Sequence, residues 1–138
     1  MNTPRFGKSS ALLLTALTLS ACANRYHVDA EAPNYAAQAD LAVRVNKTEQ
    51  RELTMHIDHL APPSRIDPAL KAYAVWIFVP GHGSAKLGML DYDADDRTGE
   101  IVATAGYEKF EVVVTLEADP STPVPSDRVV LRKVVGKG

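Results

Sequence analysis

This sequence predicts an all-β fold: two sheets packed as an immunoglobulin-like β-sandwich of about seven strands. Three observations carry the expectation. Apolar residues recur at every second position in several stretches after residue 40, the period of a half-buried strand. Proline, glycine, asparagine and aspartate interrupt those stretches at near-regular intervals, as they do in sandwiches. No stretch there sustains the 3.6-residue period of a long helix.

Each element follows in order. Leu41, Val43 and Val45 alternate with polar or small neighbours, and Asn46-Lys47-Thr48 turns the chain. Leu53, Met55 and Ile57 alternate with Thr54, His56 and Asp58. Pro62, Pro63 and Pro68 break the next stretch. Residues 72–79 are apolar on both faces, and Pro80-Gly81-His82-Gly83 forms a turn. A strand over 86–92 leads into the acidic loop 93–99, and a short strand covers 101–105. Phe110, Val112, Val114 and Leu116 alternate with Glu111, Val113, Thr115 and Glu117. A loop holding Pro120, Pro123 and Pro125 precedes the last strand, near 128–135. Those prolines fall where no ladder donor is lost.

The N-terminus reads differently. Arg5 and Lys8 form a basic start, residues 11–19 form an apolar core, and the small residues Ser20 and Ala21 precede the single cysteine, Cys22. The apolar run is shorter than the roughly 20 residues that span a bilayer. Leu19-Ser20-Ala21-Cys22 resembles the lipobox of bacterial lipoproteins, where small residues fit a peptidase pocket and the cysteine thiol takes a diacylglyceryl group. The resemblance implies that residues 1–21 are a cleaved signal peptide and that Cys22 carries diacylglycerol and acyl chains. One chain binds membranes only marginally, at about 0.8 kcal/mol per buried CH₂, so several on one residue make a stable anchor. Ala23, rather than aspartate, follows the cysteine. In a two-membrane bacterium that implies the outer membrane, facing the periplasm. Residues 22–40, rich in alanine and polar side chains, read as a flexible tether, and 41–138 as the sandwich.

Composition narrows the function. The net charge of −2 becomes about −4 once Arg5 and Lys8 are removed. That argues against nucleic acid as a partner, which needs a basic patch, and against an anionic lipid surface as a second anchor. With one cysteine an internal disulfide is ruled out, so the domain depends on its apolar core.

Tyr73-Ala74-Val75-Trp76-Ile77, then Lys86-Leu87-Gly88-Met89-Leu90, then Val114-Thr115-Leu116-Glu117 with Pro120, Pro123 and Pro125 resemble the extracytoplasmic C-terminal domain of anti-sigma-K factors. There a Trp strand and a "VT-x-E … P" strand recur in this order. The resemblance spans about residues 72–131 and implies a sandwich in an extracytoplasmic compartment. It also implies an alternative function as a periplasmic sensor or regulatory subunit. The family's zinc-type cytoplasmic domain and transmembrane helix have no counterpart in the sequence, so sigma-factor binding is not implied.

Candidate sites are few. On the 72–79 strand the expectation places Trp76, with Ala74 and Phe78, in the core, as a Trp on that strand is in immunoglobulin domains. Tyr73, Val75 and Ile77 then face outward beside Val113, as an apolar binding surface. A one-residue slip would exchange those faces. Asp91, Asp93 and Asp95 are weak calcium candidates. The EF-hand template fails, with Asp96 and Val102 where glycine and glutamate belong. His56 and Asp58 share a strand face and His59 points away, an arrangement more typical of a polar outer face than of catalysis. No nucleophile elbow or phosphate loop is present in the sequence. The sequence therefore predicts a lipid-anchored cell-envelope module, non-enzymatic, that binds an envelope protein or cell-wall component or serves structurally.

Overall fold

A computed structural model describes residues 22–136. It is all-β, with nine strands in two antiparallel sheets and one helical turn. The strands are β1 (Asn24–Asp29), β2 (Gln38–Val45), β3 (Arg51–Asp58), β4 (Ala72–Val79), β5 (Gly83–Met89), β6 (Asp91–Asp93), β7 (Thr98–Ala105), β8 (Phe110–Glu117) and β9 (Val129–Val135). The helical turn, α1 (Pro63–Ile66), starts at a proline, which is tolerated where a helix lacks amide acceptors anyway. One sheet has the order β1-β2-β3-β7-β6 and the other β5-β4-β8-β9. Setting β1 aside, this is the A-B-E-D and C′-C-F-G arrangement of an immunoglobulin-like sandwich.

The core lies between the sheets. Leu41, Val43, Leu53, Met55 and Ile57 enter from the first sheet; Tyr73, Val75, Ile77, Phe110, Val112, Val114 and Leu116 enter from the second. The alternation in β2, β3 and β8 puts these residues on one face. The Tyr73 hydroxyl donates to the Ala61 carbonyl and accepts from Asn34 Nδ2 at 3.3 Å. Burial pushes its pKa up to about 12. Asn34, itself buried, also accepts from the Ala61 amide. This clasp joins the β1–β2 turn to the segment after β3.

Two elements differ from the sequence expectation. Residues 24–29, expected in the tether, form β1 and pair with β2 from Asn24↔Val43 to Asp29↔Gln38. Tyr26, Val28 and Ala30 alternate with Arg25, His27 and Asp29, so this segment has an apolar stripe, and Val28 and Ala30 join the core. The turn after it is fixed by amides of Ala30, Asn34 and Ala37, and the Glu31 amide reaches Val130 on β9. The sandwich therefore begins at residue 24 rather than 41. The strand expected over 86–92 is two strands in different sheets. The chain crosses at Leu90, whose amide bonds the Tyr73 carbonyl and whose side chain is buried. Gly88 lies two residues before the crossing but inside β5, paired with Val75, so periodicity alone does not show where the chain changes sheet.

Candidate functional site

The expected apolar binding surface is not a surface. Tyr73, Val75 and Ile77 are 0%, 1% and 3% exposed and belong to the central core. Val113 lies on the opposite face of the sheet, across from Trp76, and is 2% exposed. The assignment of β4 is thus inverted, because a strand apolar on both faces gives no parity signal.

Trp76 faces away from the core yet is fully buried. Its Nε1 donates to Thr115 Oγ1 at 2.9 Å, and that hydroxyl donates to Glu117 Oε1 at 2.6 Å. The same carboxylate oxygen accepts the Ser126 amide at 2.9 Å. Ser126 Oγ in turn donates to the Leu116 carbonyl. Lys86 lies 4.9 Å from the indole centre and donates to the Pro120 carbonyl. The proline-rich loop is therefore strapped over the outer face, and Glu117 satisfies the donors that this burial removes from water. The chain is structural, and its polar atoms are spent on one another.

The outer face of the first sheet is where titratable groups do converge. The strand registers place His27 opposite Asp40, Asp40 opposite His56, His56 opposite Glu100 and Glu100 opposite Asp91. One row of histidines and carboxylates therefore crosses all five strands. His27 Nδ1 is 3.1 Å from Asp40 Oδ1. His56 Nδ1 is 2.8 Å from Glu100 Oε1, and its Nε2 is 3.2 Å from Asp58 Oδ1. With a carboxylate on each ring nitrogen, both nitrogens act as donors in the imidazolium form. A shallow hollow of about 590 Å³ opens beside the row, lined by Arg25, Tyr26, Ala42 and Thr54 along with the histidines. The row is open to solvent. It can pair with a charged or hydrogen-bonding ligand. The sequence places His56 with Asp58, as found. His27 escapes because its segment reads as tether.

The hydrogen bond that the ring donates to Glu100 is the main cause that raises the His56 pKa above 6.5; burial opposes it, and the hydrogen bond and charge of Asp58 add to the rise. A raised histidine pKa stabilises the fold below about pH 6.5, and that contribution disappears as pH rises through the folded value. The ring is near the surface, so about 0.2–1 kcal/mol is at stake. A proton NMR titration should place the His56 midpoint above 6.5, and Glu100→Gln should bring it down. A midpoint at or below 6.5 in the unaltered protein would remove the pairing.

The calcium candidates do not converge. Asp93 Oδ1 is occupied as a turn cap, accepting the amides of Asp95 and Asp96, while Asp91 pairs across to Glu100. Among the described residues, no group of three or more His, Cys, Asp or Glu side chains is placed to hold a metal ion. The structure thus does not bring the weak candidates Asp91, Asp93 and Asp95 together around one point.

Cys22 is exposed, two residues ahead of the first residue of β1. The signal segment 1–21, including Leu19, Ser20 and Ala21, lies outside the described residues. No family model, curated protein or solved structure matches the chain.

Proposed function

We propose that this chain is a lipid-anchored cell-envelope lipoprotein whose sandwich acts as a non-enzymatic binding or structural module, in the outer membrane where a second membrane exists. The observation that carries the reading is the sequence Leu19-Ser20-Ala21-Cys22 after a basic start and a short apolar core. The fold supports it, since a sandwich beginning just after Cys22 leaves that residue free to be processed and acylated. The binding face in this reading is the histidine–carboxylate row, in place of the buried Tyr73 face. A periplasmic sensor or regulatory subunit is the second reading, favoured by the same row because His56 sits between Glu100 and Asp58, which raise its pKa above 6.5.

Intact-mass analysis of protein extracted from membranes with detergent tests the anchor. The mature chain should start at Cys22, carry acyl mass and sediment with membranes. Cys22→Ser should lose the acyl mass and the membrane association together. An unacylated wild-type chain in the soluble fraction would leave the reading without its basis.

A further inference from the structure

We infer that the end of the sandwich carrying Cys22 rests on phospholipid headgroups, as a second contact beyond the acyl chains. The inference depends on acylation of Cys22. Only Ala23 separates Cys22 from β1, and β1 is paired with β2 from its first residue. Two residues of extended chain span at most about 7 Å. A headgroup layer is about 5–7 Å thick on each side of the hydrocarbon core. With acylated Cys22 at the hydrocarbon boundary, β1 starts at the outer margin of the headgroups, and the domain has no slack with which to stand away.

The strand directions bring the β2–β3, β4–β5 and β7–β8 turns and the end of β9 to that same end. Cys22 shares a hollow of about 320 Å³ there with Val45, Arg51, Glu108 and Val135. Three large apolar side chains are exposed nearby: Val45, Tyr107 and Val134. Tyrosine favours the water–lipid interface. Lys47, Arg51 and Lys109 supply cations against Glu49 and Glu108, and lysine stems can lie along apolar surface with the ammonium in water. The opposite end holds Asp93, Asp95, Asp96, Asp119 and Asp127, and Asp67 paired with Arg128, against Arg65, Lys71 and Arg97, an acidic excess that anionic lipid repels. The net charge of about −4 conceals this segregation. At the Cys22 end, unlike the molecule as a whole, the cations Lys47, Arg51 and Lys109 outnumber Glu49 and Glu108.

The test uses the full acylated chain in phosphatidylcholine vesicles containing phosphatidylglycerol. Acylation consumes the Cys22 thiol, so a single cysteine introduced by Val45→Cys, Tyr107→Cys or Asp95→Cys is the only site for a nitroxide. Collisions with a water-soluble nickel chelate should be several-fold rarer at positions 45 and 107 than at 95. Combining Lys47→Glu, Arg51→Glu and Lys109→Glu should restore collisions at 107. Equal accessibility at all three positions, on chains whose mass confirms acylation, would overturn the inference. Shielding seen in native membranes and absent from pure lipid would also overturn it, assigning the surface to a protein. A second nitroxide on Cys22 would show a free thiol, and both the anchor and the inference would fall.

Discussion

Trp76→Ala is expected to cost about 3–5 kcal/mol, the range for deleting a buried tryptophan whose site only partly collapses. That is a large share of the roughly 5–15 kcal/mol that holds a domain folded. The indole is fully buried, bonded to Thr115 and covered by Lys86. Trp76→Phe keeps most of the ring and removes the N–H, so about 1 kcal/mol should go. Denaturant unfolding gives both numbers. Magnitude alone does not locate the ring, because a core tryptophan would cost as much. The loop does. With the indole under the proline-rich strap, Trp76→Ala should speed amide exchange at Ser126 and proteolysis within 118–128. Exchange around Tyr73 and Ala61 should change little. The reverse pattern would put Trp76 back between the sheets.

The inverted face of β4 shows where sequence periodicity stops. In β3, Leu53, Met55 and Ile57 stand against Thr54, His56 and Asp58, and the parity is unambiguous. β8 also alternates, and its inner residues are as expected. Val113, Thr115 and Glu117 are nevertheless buried too: a loop that follows in sequence folds back onto Glu117, and Val113 lies across from Trp76. Nothing within β8 records that cover. In β4 every residue is apolar, so parity had to come from a fold-level analogy, and the analogy placed Trp76 where Tyr73 sits. The polar row on the first sheet was half legible: His56 and Asp58 lie two residues apart, whereas Asp40 and Glu100 arrive only through register. β1 was legible in principle, as Tyr26 and Val28 between charged neighbours. Alanines and Pro33 around it carry too little apolar surface to signal a strand by themselves.

Val28→Asp should turn β1 into the tether that the composition of residues 22–40 suggests. Val28 faces the core at 8% exposure. Burying a carboxylate there without a partner costs far more than the roughly 1.5–3 kcal/mol that the valine contributes. Detaching β1 is the cheaper outcome, since β1 is an edge strand held by one neighbour in its sheet. The remaining eight strands keep the immunoglobulin-like order. Detachment should stop at Asn34, which is pinned by Tyr73 and Ala61. About eleven residues, 23–33, are then released, with a mean span of roughly 18 Å as a coil and a reach of about 37 Å when extended. Amide exchange at residues 24–29 should rise toward the unstructured rate while β3 and β8 stay protected. On vesicles, a nitroxide at position 107 should regain access to the nickel chelate although the acyl anchor is intact. That pair of results would show that β1, and not the lipid alone, holds the sandwich against the membrane. Loss of protection across all strands together would instead make β1 part of one cooperative unit, and the position of the sandwich could then not be adjusted without unfolding it.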